Sequence, residues 1–265
     1  MKHILNVLKD AFDPRDHAVA PNKPKGTTVV SFRDKVPYIK DQGQAGSCTA
    51  HAGTELMELL YRMQPSQLAK HVDVNTLRFS PLFLYAQERF MEGDFTRDGG
   101  ADSRTIFRVL AKSGCCLESE DAYSDKRIFQ LPTTAEVKEA EAYKIGAYHR
   151  IYDVDTAKTV LVSGYSFAIG IPVFAQMESD EALATGLIRV PAANETPIGG
   201  HEMHVIGCDD TKEVFGEVGA FEVQNSWGLD WGQKGFCYIP YRYFSVAPDF
   251  DMWTAHFGRP WSSAS

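Results

Sequence analysis

Apolar positions change their period near the middle of this 265-residue chain. After Ser47, the positions Ala52, Leu56, Leu59, Leu60 and Met63 recur on one helical face, and the run ends near Pro65, which predicts a helix starting at Cys48. Ser80 before Pro81 supplies a cap and a first-turn proline for a second helix to about Met91. A third is predicted from Ser103 to Lys112, stopped by Gly114, and the capping-box spacing of Thr133 and Glu136 opens a fourth to about Tyr143. Beyond it the period shortens to two. Tyr165, Phe167, Ile169, Ile171 and Val173 alternate, and strand-like runs follow at 204–208, 220–225 and 235–239. A helical half followed by a β half predicts an α+β protein of two lobes, and clefts between lobes are favoured places for sites.

Composition shifts near residue 27, after PNKPKG, so residues 1–26 read as an N-terminal extension and 27–265 as the main domain. In the extension Ile4, Leu5, Val7, Leu8 and Phe12 fall at helical spacing, which predicts an apolar face able to dock on the body, with a frayed tail as the other outcome.

A hydrophobic content of 44% is ample for a core, and 35 acidic against 27 basic residues give a net charge of −8. No run of Lys and Arg could track a phosphate backbone, which argues against a nucleic-acid partner. The apolar runs, such as 161–174, fall short of a membrane span, so no membrane partner is expected. Ile4 to Leu8 is too short for a secretory core, so the expected location is cytoplasmic, or one reached without a Sec signal. The five cysteines, Cys48, Cys115, Cys116, Cys208 and Cys237, are an odd number spread widely, which suggests a reducing compartment rather than a disulfide framework. Cys115 and Cys116 are expected to be packing residues.

Three segments carry candidate chemistry. In DQGQAGSCTAHA (41–52), glycines turn the chain into the helix that Cys48 begins, and the positive helix end favours a thiolate there. In GGHEMHVIGCDD (199–210), His201 and His204 are three apart, so in a strand they point to opposite faces and only one can meet the thiol. The third is VQNSWGLDWGQKGFCYIP (223–240). The remaining histidines, His3, His17, His51, His71, His149 and His256, read as surface or satisfied core residues.

Together these segments resemble the papain family of cysteine peptidases, in the bacterial-type form that lacks a long secretory pro-region. The resemblance implies a papain-like two-lobe fold, with a helical lobe over about 41–130 and a β-barrel-like lobe over about 131–257. It implies a cysteine endopeptidase that cleaves peptide bonds through a thioester by a Cys-His-Asn mechanism. Cys48 is then the nucleophile, His201, in register with Gly207, the base, Asn225 the residue that orients it, and Gln42 an oxyanion donor. Trp227 shields the His201–Asn225 bond, and Gly99, Gly100 and Gly200 join it as substrate-binding candidates. A peptide or protein substrate, no metal, no cofactor and a monomer are implied, with the extension as a possible self-inhibitor.

Three departures qualify the likeness: Thr49 stands where a large aromatic usually follows the nucleophile, Ala45 replaces a disulfide cysteine, and Glu202 follows His201 where a small residue is usual. If the strand alternates, Glu202 points away from the cleft. Rival readings are a transglutaminase-type acyltransferase, a catalytically silent binding module of the same fold, and a zinc site from His201, His204 and Cys208.

Overall fold

The computed structural model describes residues 3–70 and 72–258; His71 and the ends of the chain lie outside the described residues. Seven helices and seven strands are named here in chain order. Helix α1 spans Cys48–Met63, α2 Pro81–Glu92, α3 Ser103–Lys112 and α4 Thr134–Ala140. Further on come α5 Val154–Val162, α6 Asp180–Thr185 and α7 Tyr243–Val246. The strands are β1 Val29–Ser31, β2 Ala147–Ile151, β3 Phe167–Val173 and β4 Gly199–Val214. They are completed by β5 Glu217–Gln224, β6 Phe236–Pro240 and β7 Asp251–His256.

The caps act as their sequence suggests. The Ser80 side chain accepts from the Phe83 N–H, and Thr133 and Glu136 form the reciprocal capping box. The strands form one antiparallel sheet in the order β2-β7-β3-β4-β5-β6, with β1 added on β4. Most of β3 is buried on both faces, because the helices cover one side and the β-lobe core the other. Long β4 and β5 make a hairpin, which turns at Phe215 and Gly216, both at positive φ.

Two apolar cores result. One gathers Phe79, Phe83, Phe107, Leu56 and Trp253 around the helices, and the other gathers Phe167, Val205, Phe221 and Tyr243 around the sheet. Helix α1 lies between them and is buried from Cys48 to Tyr61, including the carboxyls of Glu55 and Glu58. Cys115 and Cys116 sit in the helical core with no exposure, and all five cysteines are free. No described helix is long and apolar enough to cross a membrane.

Lys40 reaches into this buried region, its Nζ 2.9 Å from Glu58 Oε1 and 2.9 Å from the Phe79 carbonyl. Breaking a buried pair on one side leaves the other charge uncompensated, so Lys40→Met is expected to cost about 3 kcal/mol in urea unfolding. An unchanged unfolding midpoint would show that the pair contributes little.

The extension differs from the helical expectation. Residues 3–26 contain no helix; they run extended and pair with the body at Asn6–Gly200 and Ala18–Arg150. Main-chain pairing with exposed edges outweighs the helical spacing of Ile4, Leu5, Val7 and Leu8, and Leu8 and Phe12 stay 72% and 82% exposed.

Candidate active site

Cys48 is the first residue of α1 and is fully buried. Ser47 Oγ does not cap the helix; it lies 2.7 Å from the Tyr123 hydroxyl and 3.3 Å from His51 Nδ1. The helix end thus keeps its unpaired N–H groups beside the thiol. Burial pushes the Cys48 thiol up to about 12, while hydrogen bonds from the backbone of Glu202 and Thr49 pull in the other direction and the carboxyls of Glu202 and Glu88 push it further up.

His201 lies in β4, opposite Ile171 of β3. Its Nε2 is 2.8 Å from Asn225 Oδ1, just past the end of β5. A carboxamide oxygen only accepts, so Nε2 carries the ring proton and Nδ1 keeps a lone pair. That Nδ1 is buried with no hydrogen-bond partner among the described residues. Burial lowers His201 to about 4, with the Asn225 hydrogen bond opposing and the charge of His3 adding. The Trp227 ring stacks on His201 with centroids 4.6 Å apart, so it covers the imidazole.

Gln42 is fully buried. Its Oε1 accepts from Ser226 Oγ at 2.8 Å and its Nε2 donates to the Ala45 carbonyl at 2.9 Å, while its backbone N–H donates to the Ser226 carbonyl at 2.9 Å. Asn225 Oδ1 also accepts from the Ser226 N–H at 2.8 Å. One chain of bonds therefore links Gln42, Ser226, Asn225 and His201, and fixes the Gln42 amide.

His204 takes the other face of the strand. Its ring nitrogens lie 3.1 Å from Gln224 Oε1 and 2.8 Å from Ser166 Oγ, so it is a satisfied core residue. Among the described residues no group of His, Cys, Asp and Glu is arranged to hold a metal ion.

The cleft beside this pair holds the protein's own N-terminal segment. Val7 N–H donates to the Gly200 carbonyl at 3.2 Å and Gly200 N–H to the Leu5 carbonyl at 3.4 Å. Asn6 Nδ2 donates to the Asp98 carbonyl at 3.1 Å. A Cβ on Gly200 would stand 1.9 Å from the Val7 oxygen, and one on Gly100 2.5 Å from Asn6 Oδ1, so both glycines are needed for the segment to lie so close. Gly99 is exposed and turns toward Asp94, away from these contacts. His3, read from the sequence as unremarkable, stacks on Trp227 with centroids 4.0 Å apart, and its N–H donates to Glu178 Oε1 at 2.9 Å. Sequence reasoning gave no warning of Asn6 or His3 here, because neither belongs to a recognisable motif.

The segment is also pinned beyond the cleft. Asp10 N–H donates to Asp251 Oδ2 at 2.7 Å, Trp253 Nε1 donates to Asp10 Oδ2 at 2.8 Å, and Arg104 Nη2 donates to Asp16 Oδ2 at 2.8 Å. Val19 N–H and His17 O then join the Arg150 backbone at 2.9 and 2.8 Å.

With a buried thiol at a helix start and an imidazole held by a carboxamide, this is the site architecture of a thiol peptidase. The chain belongs to the papain family of cysteine proteases, whose family profile matches residues 27–244. It has the papain-like fold and is a papain-like cysteine peptidase, a hydrolase. It is 32% identical over 222 residues to an uncharacterized peptidase C1-like protein of Acanthamoeba polyphaga mimivirus, covering 79% of this chain and 67% of that protein. It is 23% identical to the cysteine protease Amb a 11.0101 of Ambrosia artemisiifolia, covering 86% of this chain and 54% of that protein, and so spans about half of that relative. Among solved structures, xylellain, a cysteine protease from Xylella fastidiosa, matches with a TM-score of 0.82 at 28% identity over 96% of both chains. The proform of the ragweed protease Amb a 11 shares the fold, with a TM-score of 0.65 at 21% identity over 90% of this chain and 66% of that one.

Proposed function

We propose that Cys48, His201 and Asn225 cleave peptide bonds through a thioester, with Gln42 and the Cys48 N–H stabilising the oxyanion. The observation that carries this is the orphaned Nδ1 of His201: its partner nitrogen is held by Asn225, its own lone pair is buried without a partner among the described residues, and the Cys48 thiol lies against the backbone of the next residue, Glu202. Nδ1 takes the Cys48 proton as sulfur attacks the carbonyl, then returns it to the leaving amine, and water releases the acyl group. A peptidyl epoxysuccinate should alkylate Cys48 alone among the five cysteines, as read by peptide mass mapping. Modification elsewhere, with Cys48 untouched, would contradict the assignment.

Asn225→Ala leaves Nε2 without its acceptor and lets the ring rotate. Such misplacement is expected to lower kcat by about 10²-fold with little change in KM. Steady-state hydrolysis of a fluorogenic peptide checks it, and an equal loss in KM alone would point to a binding role instead.

The extension is proposed to restrain this site. The imidazole that protonates the leaving amine sits under Trp227, so the leaving side of a substrate faces Trp227 and the acyl side faces Gly199 and Gly200. Residues 3–9 enter at Trp227 and leave past Gly200, in parallel pairing with β4, so their chain direction is opposite to that of a substrate. Reversed in this way, the segment fills the cleft without offering a cleavable carbonyl.

A further inference from the structure

Gly199 and Gly200 open onto a pocket of about 490 Å³, bordered by Gly170, Pro172 and Asp251 of the body and by Val7 and Lys9 of the extension. It lies on the acyl side of His201. Its wall at Gly170 has no side chain, and a Cβ there would meet Glu202 Oε2 at 2.6 Å, Ser103 Oγ at 2.6 Å and Val7 Cγ1 at 3.4 Å. The Val7 methyl and the Glu202 carboxyl therefore meet on the same face of Gly170, which borders the pocket.

Strand alternation does hold, with His201 facing Asn225 and Glu202 pointing the other way, but that direction leads to Gly170, its partner in β3, which borders this pocket. Glu202 is 1% exposed, accepts from Ser103 Oγ at 2.5 Å, and keeps Oε1 without a partner among the described residues. No described cation pairs with it. The charges around it are the carboxyls of Asp10, Asp251 and Glu88. Burial holds the Glu202 carboxyl well above its usual range, as an unpaired acid must be.

The extension brings its own cation to the mouth of the same pocket. Lys9 Nζ lies 3.1 Å from Asp249 Oδ1 and 3.3 Å from the Pro248 carbonyl. When the segment leaves, Lys9 and Asp10 go with it, and Asp249, Asp251 and Glu202 remain with Arg150 as the charged group paired to Asp251.

We propose that this pocket selects substrates with a lysine or arginine on the acyl side of the scissile bond, whose cationic end passes Gly170 to the Glu202 carboxyl. This rests on the peptidase assignment above and adds its substrate class. An arriving cation supplies the partner that Oε1 lacks and lets the carboxyl ionise in a dry site, where a paired charge is worth most.

The test uses the full chain and tripeptidyl acyloxymethyl ketones that carry Arg, Leu or Glu at each position in turn. Because every probe must displace the same segment, the ratio of Cys48 labelling rates cancels that step. At one position Arg should label at least about tenfold faster than Leu, with Glu slowest, a margin of about 1.4 kcal/mol. Glu202→Gln should bring the Arg-to-Leu ratio close to one. Should that variant fail to fold, Asp249→Asn, at the exposed rim, should lower the same ratio about twofold. Labelling by Leu or Glu as fast as Arg at every position overturns the substrate class and leaves the peptidase assignment standing. Failure of all probes to reach Cys48 overturns both.

Discussion

Cys48→Ala is expected to lower peptide hydrolysis by at least about 10⁴-fold, since a triad without its nucleophile keeps only binding and oxyanion stabilisation. The loss should be chemical rather than structural. Cys48 makes its contacts at the start of a helix that is buried on all sides and held by Leu56, Leu59 and Leu60, none of which depends on sulfur. Removing one sulfur from a packed site costs about 1 kcal/mol, a small part of the stability of a domain this size. Fluorogenic peptide hydrolysis and urea unfolding on the same preparation check both halves. Retained activity in the variant would move the nucleophile elsewhere.

Val7→Asp in the full chain is expected to raise the rate by about tenfold or more. Val7 is 7% exposed, and burying such a side chain stabilises the docked segment by about 2 kcal/mol. An aspartate there loses that term and places a carboxylate toward Glu202 and Asp251, both already raised by burial and neighbouring acids. A shift of 1.4 kcal/mol multiplies the open population by about ten as long as the docked form dominates. Hydrolysis rate, together with protease sensitivity of residues 3–26, reads the effect. An unchanged rate with a released segment would mean that the extension does not limit access.

The helices were legible because their signals are local: Ser80 with Pro81, Thr133 with Glu136, and Gly114 past α3 each act within one turn. The candidate triad could be picked out because its three segments carry contiguous patterns. Strands β2 and β7 were not read, since the pairing of Ala147 with His256 spans the sequence and leaves no local mark. The extension was misread for a related reason. Its apolar spacing fits a helix, but the chain is extended because Leu5 and Val7 pair with Gly200, nearly two hundred residues away. Glu202 was visible as an odd residue beside His201, yet the role proposed for it depends on the bare wall at Gly170, which only the β3–β4 register brings alongside.

In the docked state both partners favour their neutral forms, with Cys48 pushed up to about 12 and His201 lowered to about 4. Undocking admits water and lets sulfur and imidazole charge together, which moves the thiol down and the imidazole up. The direct measurement is the rate of Cys48 alkylation by iodoacetamide against pH in the Val7→Asp chain, with and without His201→Ala. Reactivity should reach a plateau well below pH 8.5 when His201 is present and lose it when His201 is gone. A single rise centred near pH 8.5 in both proteins would mean that no thiolate–imidazolium pair forms.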